Sequence, residues 1–228
     1  MPDIHRVAWP AESPQHLLHR HSATPLRLGA QLSVEHTQRA ILVASGLVCD
    51  EYPRGSYLLN SRSMPILASV VELPIGGASP IPATIWFVSR SRKRLTWTTR
   101  TPLALRDPQL GAHVAVQARG EWTARVEAPR TLLRELKVAH APLTTALAED
   151  VLIAEVGQAF AQSVAQVLWE RRIGITDIPG HLADIATQAR PVAAKRFERF
   201  GIEVTHLGVS DVTVLPDEVV PAQGSFTS

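Results

Sequence analysis

The period of the hydrophobic pattern changes near residue 125, and this change limits the chain to a mixed fold. Before it, short apolar runs alternate with turn residues such as Ser45-Gly46 and Pro53-Arg54-Gly55, a pattern typical of strands. After it, apolar residues recur at helical spacing over two long segments. A last alternating run, 202–214, predicts a returning strand. Strands followed by helices and one returning strand indicate an α+β fold.

Element bounds follow from the same pattern and from proline and glycine positions. We predict a strand at 113–126 and a hairpin at 81–99 whose tip is Arg90–Arg94. Helices are predicted at 128–137, at about 144–172 and at 179–200.

Single residues predict how the last helices begin and end. Gly174 is expected to end the long helix, and Thr176 or Asp177 to cap the next one. Pro191 is expected to kink or split that next helix. Gly201 fits the left-handed position that follows a helix.

Composition excludes several classes of protein. Of the 228 residues, 45% are hydrophobic and 19% are charged, as in ordinary globular domains. The net charge of +2 is too small for a whole-molecule field that would recruit nucleic acid. The single cysteine, Cys49, cannot form an internal disulfide or a multi-cysteine metal site, and it fits a reducing cytoplasm.

The sequence is expected to lack a membrane-spanning helix. Its start has no basic patch followed by an apolar run, the pattern of a secretory signal. The longest uncharged stretch, 73–89, contains three prolines and a Gly-Gly pair, which an unbroken helix does not tolerate. We therefore expect a protein that fractionates as soluble or salt-extractable.

An ordered series of short motifs resembles the SPFH (band 7, prohibitin-homology) domain, in its short bacterial form labelled virion core protein-like. Near the C-terminus the matching segment is FGIEVTHLGVSDV. The earlier matching residues, in the family's order, are Gln38-Arg39-Ala40 leading to Gly46, Pro53-x-Gly55-x-Tyr57, Asn60, Pro65, Ser79-Pro80, Phe87-Val88, Trp97-x-Thr99, Pro102 and Asp107.

The resemblance implies a scaffold protein rather than an enzyme. Such proteins form oligomers that organise membrane zones and regulate partners such as proteases or stress-response proteins. We expect an N-terminal arm at 1–28, an SPFH-like domain at 29–215 and a flexible tail at 216–228.

The expected role is peripheral. Because the arm carries no apolar anchor and no long coiled coil follows the last strand, neither membrane insertion nor a closed cage is expected. We expect a cytoplasmic homo-oligomer, peripheral at the inner face of the membrane or recruited by a membrane-protein partner. The alternative is a soluble structural subunit of a phage-like particle, or a nucleic-acid-associated module.

No motif points to catalysis, a cofactor or a metal. The chain lacks a G-x-S-x-G elbow, an H-E-x-x-H pair, a Walker loop and a G-x-G-x-x-G fingerprint. His16, His19 and His21 crowd one short segment, and His19 and His21 would share one strand face. Zinc would need further ligands at known spacing, so these histidines are read as ordinary polar residues.

Four cations, Arg90, Arg92, Lys93 and Arg94, lie at the tip of the predicted hairpin. Such a cluster can bind phosphate groups of anionic lipid or nucleic acid, or it can be a solvated turn that protects a strand edge. Lipid is favoured over nucleic acid because no nucleic-acid motif or base-stacking series accompanies the charges. These residues are the candidate membrane or phosphate contacts.

The long predicted helix has two apolar sides. A broad arc, expected to pack on the chain's own sheet, contains Leu152, Val156, Phe160, Val164, Val167 and Leu168. The opposite side is apolar apart from a stripe formed by Glu155, Gln158, Gln162 and Gln166. It lies either under another segment of the chain or against a neighbouring subunit. The candidate self-assembly residues on it are Leu147, Val151, Ala161, Ala165 and Trp169.

Overall fold

The described residues form two units, and the chain begins with short strands separated by turn residues. The structure, a computed structural model, describes residues 5–9, 15–21, 26–73, 80–137 and 144–215. Its contacts divide them into two units. The first holds the described residues within Met1–Lys93, Arg125–Glu149 and Arg199–Glu203, and the second those within Arg94–Ala124, Asp150–Glu198 and Val204–Ser228.

Both sheets of the first unit are small. One has the order β1 (Arg6–Ala8), β3 (Gln31–Val34) and β6 (Gly55–Leu58), with β1 parallel to β3. The other is antiparallel, with the order β2 (Leu18–His21), β7 (Thr84–Ser89), β4 (Gln38–Ala44) and β5 (Leu47–Tyr52).

The β4–β5 turn confirms a sequence prediction. Ser45 and Gly46 have φ angles of 49° and 78°, as a two-residue hairpin turn of the primed type requires.

Two short helices pack on β5 and use its polar groups. The Asp50 carboxylate accepts hydrogen bonds from the N–H groups of Ile66 (3.0 Å) and Leu67 (2.8 Å) at the start of α1 (Pro65–Val70). In α2 (Pro129–Glu135), the Arg130 guanidinium donates to the carbonyl oxygens of Cys49 and Val48, the latter at 2.9 Å. Because β5 is an edge strand, Arg130 occupies carbonyls that could otherwise pair with another strand.

The second unit combines a sheet with two long helices. The sheet has the order β11 (Ile202–Val214), β10 (His113–Val126) and β8 (Lys93–Thr98), and β9 (Leu103–Arg106) pairs with the start of β10. The helices are α3 (Thr145–Arg171) and α4 (Leu182–Glu198), with a 3-10 helix at Ile175–His181 between them. The first unit also includes one end of each of four of these elements, namely β8, β10, β11 and α3.

Aromatic side chains join this sheet to both helices. The Trp97 ring of β8 lies 5.5 Å from the Phe160 ring of α3, centroid to centroid, and Trp122 of β10 lies 4.9 Å from Phe197 of α4. All four side chains are at most 2% exposed. These pairs form the centre of the second unit's core.

A close contact between two strands makes room for the Trp97 indole. Its indole N–H donates to the carbonyl oxygen of Gly208 on β11 at 3.1 Å. A Cβ added at Gly120 of β10 would stand 2.0 Å from that oxygen and 2.8 Å from the indole nitrogen. Only glycine therefore fits at position 120.

The fold class and most of the element order are confirmed. An α+β fold with a β-rich beginning, helices and a returning strand is what the structure contains. The predicted strand at 113–126 and helices at 128–137 and 144–172 match β10, α2 and α3. Gly201 has a φ of 65°, in the left-handed region as predicted. Helix α1 was not predicted, since six residues are too few to show a helical period.

The predicted hairpin at 81–99 is wrong. Strand β7 pairs with β2 and β4, whereas β8 pairs with β10. The segment Arg90–Arg94 therefore connects two different sheets.

The start of α4 also differs from the prediction. The helix begins at Leu182, after the 3-10 helix. Asp177 does not cap α4; its carboxylate accepts the N–H of Gly174 at 3.0 Å. The helix runs through Pro191 without being split.

The division into arm, domain and tail stays a prediction. Strands β1 and β2 lie within residues 1–28. Residues 216–228, the Gly76-Gly77 pair and Ser79 lie outside the described residues.

Two glycine substitutions in the second unit are expected to change stability in opposite directions. Gly120→Ala would force a Cβ against a backbone oxygen, which costs about 1–3 kcal/mol or more. In Gly157→Ala the nearest atom to the new Cβ is Thr99 Cγ2 at 3.6 Å, and alanine favours a helix over glycine by up to ~1 kcal/mol.

Urea unfolding of both variants measures this difference. Gly120→Ala should unfold at lower urea than the unchanged protein, and Gly157→Ala at equal or higher urea. An undiminished stability of Gly120→Ala would contradict the packing of Trp97 described above.

Candidate functional site

Helix α3 has one side buried in the core. The broad apolar arc predicted from the sequence lies on that side, and every member is at most 1% exposed. Its residues are Leu152, Val156, Phe160, Val164, Val167 and Leu168. The Phe160–Trp97 contact shows that this side packs on the sheet of the second unit.

The opposite side of α3 is an uncovered apolar row. The exposed fractions are 50% for Leu147, 39% for Val151 and 75% for Trp169. Ala165 is also exposed, and Ala161 is half-buried. The described residues thus place all five candidate self-assembly residues on the side of the helix that the chain's own core does not use.

The polar stripe beside this row is only partly open to solvent. Glu155 forms an ion pair with α4, since its carboxylate lies 3.0 Å from the Arg196 guanidinium. Gln158, Gln162 and Gln166 are exposed. The uncovered side of α3 therefore carries neutral glutamines among its apolar residues.

Two recesses open along this side within the second unit. The smaller, about 100 Å³, is lined by Arg100, Asp150 and Ala154 among others, and the Arg100 guanidinium pairs with the Asp150 carboxylate. The larger, about 310 Å³, lies beside Ala165 and Trp169.

No sequence pattern predicted the larger recess. It is lined on its other side by Arg106, Asp107, Pro108 and Gly111 of the turn between β9 and β10. A proline and a glycine near Asp107 signal a turn, but not which helix the turn lies beside.

The buried carboxylate in this recess has a structural role. Asp107 accepts hydrogen bonds from the N–H groups of Gln109 (2.7 Å), Leu110 (2.9 Å) and Ile175 (2.8 Å). Burial raises the pKa of Asp107, but the three hydrogen bonds outweigh burial and hold the pKa below its ordinary value. The carboxylate is thereby committed to joining the β9–β10 turn to the segment after α3.

The cationic segment takes part in an ion-pair chain within the first unit. Arg90 lies 3.5 Å from the Glu127 carboxylate, which also contacts Arg125. Arg125 lies 3.5 Å from Glu203, and Glu203 lies 3.6 Å from Arg92. The guanidinium groups of Arg90 and Arg92 are therefore partly neutralised by carboxylates distant in sequence.

The other two cations differ strongly in exposure. Lys93 is 7% exposed. The Arg94 side chain is 73% exposed, and its Nε donates to the Glu121 carboxylate at 2.8 Å. Arg92, at 56%, and Arg94 are the members of the segment that reach furthest into solvent.

The N-terminal histidines each have a different neighbour. His16 lies 2.6 Å from the Glu149 carboxylate, His19 stacks on Trp9 at 5.5 Å, and the His21 ring lies 6.5 Å from that of His5. Burial and nearby histidines lower the pKa of both His19 and His21. In the part of the chain that the structure describes, no three His, Cys, Asp or Glu residues gather as metal ligands would.

One finding corrects the expectation about membrane-spanning segments. Within the described ranges, α3 is long and apolar enough to cross a bilayer by length and composition. Half of the most apolar 18-residue stretch of α3 is buried inside the structure, and core helices of soluble proteins are often as long and as apolar. The finding is therefore weak evidence for insertion.

Comparison with known proteins identifies the family. The model of the SPFH domain-Band 7 family matches residues 18–226, and no curated protein matches the chain. Members of the family are generally non-catalytic scaffold proteins that form oligomers and associate with membranes. The virion core protein-like branch stays a prediction. Because the match covers most of the chain, this protein belongs to the SPFH domain-Band 7 family.

Proposed function

We propose that this protein is a non-catalytic scaffold that associates with itself through the uncovered side of α3. In this role it organises partner proteins from the cytoplasmic side of a membrane, as part of the membrane stress response. The observation that carries the proposal is the apolar row on α3, where Trp169 is the most exposed large hydrophobic residue among the described ones. Family membership supports the same role.

The size of the apolar row indicates a reversible association. Burying a large apolar side chain stabilises by about 1.5–3 kcal/mol. Leu147, Val151 and Trp169 from two copies would therefore contribute on the order of 10 kcal/mol. Lost translational and rotational freedom costs about 4–15 kcal/mol. The row alone thus supplies at most about 6 kcal/mol net, a dissociation constant of tens of micromolar or weaker, and flanking contacts decide the exact strength.

Charges placed on the row should separate the subunits. Val151→Asp combined with Ala165→Glu places two carboxylates at exposed positions, where a monomer keeps them hydrated. Burial in an interface would cost several kcal/mol, so association should weaken by about 100-fold or more. Light scattering measures the mass, and circular dichroism verifies that the variant is folded.

The matched control adds the same charges to α4. Ala183→Glu with Thr187→Asp uses two exposed positions of that helix and should leave the mass unchanged. If the wild-type protein stays monomeric over the whole range of concentrations measured, the proposal is contradicted. A Val151→Asp, Ala165→Glu variant that unfolds would instead mean that the row is part of the chain's own core.

Membrane contact is proposed at the cationic segment Arg90, Arg92, Lys93 and Arg94. Support comes from the exposure of Arg92 and Arg94 and from the membrane association of the family. Their ion pairs are with surface carboxylates, and such exposed pairs contribute only about 0–1 kcal/mol each. Arg92 and Arg94 can therefore exchange their carboxylate partners for lipid phosphates at little cost.

Flotation with vesicles that contain phosphatidylserine tests this contact. Arg92→Ser with Arg94→Ser should reduce flotation, and binding of the unchanged protein should fall as salt rises, because exposed charges are screened over about 8–10 Å. Arg119→Ser with Arg190→Ser is the control, since both are exposed arginines away from this segment and from the apolar row on α3. Equal losses in the two double variants would exclude the segment as the contact.

A further inference from the structure

The uncovered side of α3 has the spacing of a coiled-coil seam. Steps of four and three residues connect the positions Leu147, Val151, Ala154, Gln158, Ala161 and Ala165, and Trp169 follows after four more. All are exposed except the half-buried Ala161. A 3.5-residue apolar repeat of this kind matches helices that pack along their length. From Leu147 to Trp169 the seam is about 33 Å long.

We propose that a second copy of this chain covers the seam, with the two α3 helices antiparallel about a two-fold axis at Gln158. The inference rests on the proposed self-association and specifies its geometry. Leu147 and Trp169 are each eleven residues from Gln158, and Val151 and Ala165 are each seven residues from it. In this arrangement Trp169 lies opposite Leu147 of the second copy, and Val151 lies opposite Ala165.

Side-chain size favours antiparallel over parallel pairing. A parallel pair would place Trp169 against Trp169 at one end, with Ala165 against Ala165 beside it, so the two large rings would hold the helices apart at that end. The antiparallel pair distributes the large residues over both ends. The two Gln158 amides would meet at the axis, where each can both donate and accept a hydrogen bond. A single polar seam residue of this kind fixes the register of paired helices.

One exposed cation beside the seam favours the same direction. Arg100 pairs with the Asp150 carboxylate in the recess near the first part of the seam and is 67% exposed. In an antiparallel pair it comes within reach of the second copy's Trp169 for a cation–π contact. In a parallel pair the second copy's Trp169 lies at the opposite end of the seam.

Disulfide formation between introduced cysteines tests the geometry. The native Cys49 is fully buried and burial raises the pKa of its thiol, so it does not compete for oxidation. Gln158→Cys should give a cross-linked dimer under copper-phenanthroline, because the two thiols would meet at the axis. Gln162 is also exposed, but the two cysteines of Gln162→Cys would stand about 12 Å apart along the helix axes, beyond the Cα separation of about 4.4–6.8 Å that a disulfide needs.

A mixture of two variants tests the direction of the helices. Val151→Cys alone should not cross-link, since the two introduced cysteines would be about 21 Å apart along the helix axes. Mixed with Ala165→Cys, it should give a dimer that contains one of each chain. We expect at least about ten-fold more dimer from Gln158→Cys and from the mixture than from Gln162→Cys or Val151→Cys alone, as effective concentration exceeds that of random collision.

The outcomes separate this inference from the proposed function. If the unchanged protein associates in light scattering but Gln158→Cys and the mixture do not cross-link, the antiparallel geometry is wrong and self-association stands. If Val151→Cys cross-links to itself as readily as Gln158→Cys, the helices pair in parallel or at random, which also overturns the geometry. If the unchanged protein is monomeric, whether or not it floats with vesicles, both the geometry and the proposed self-association fail.

Discussion

The position of Trp97 determines which side of α3 faces outward. Its indole lies over the close contact between Gly120 and Gly208, where no larger residue than glycine fits at position 120, and its N–H satisfies the Gly208 carbonyl. The ring then meets Phe160. Because Phe160 is held at this contact, the residues on the opposite face of α3, including Ala165 and Trp169, are directed away from the core. The functional proposals depend on this arrangement.

Burial energetics then make the outward side of α3 unusual. A tryptophan normally removes most of its large apolar surface from water, and Trp9, Trp86, Trp97 and Trp122 do so. Trp169 does not. Exposure of one large residue is ordinary, but here it ends a row with regular spacing along one helix. A recess lies beside each part of that row, and these features together are the reason that we propose a contact site there.

The sequence was sufficient where structure depends on neighbours close in the chain. The helical period located α3 to within one residue at each end, and the φ preferences of Ser45-Gly46 and Gly201 located two turns. It failed where partners are distant. Strands β7 and β8 are close in sequence, but each finds better partners elsewhere, so no hairpin forms. Likewise the cations of Arg90 and Arg92 were visible in the sequence, whereas their pairing with Glu127 and Glu203 was not. Periodicity predicted that α3 has two apolar sides and that the broad arc packs on the sheet, whereas only the structure shows that Leu147, Val151 and Trp169 on the other side stay exposed.

Acrylamide quenching of tryptophan fluorescence against protein concentration tests the central claim, that the open side of α3 is covered by a second copy. The chain has five tryptophans, and four of them are at most 6% exposed, so the quenchable emission comes mainly from Trp169. The emission of Trp169 is obtained by subtracting that of a Trp169→Phe variant. The account predicts that its quenching falls as the concentration rises through the micromolar range. Quenching that stays at the level of an exposed indole over that range, while the protein remains folded, would contradict it.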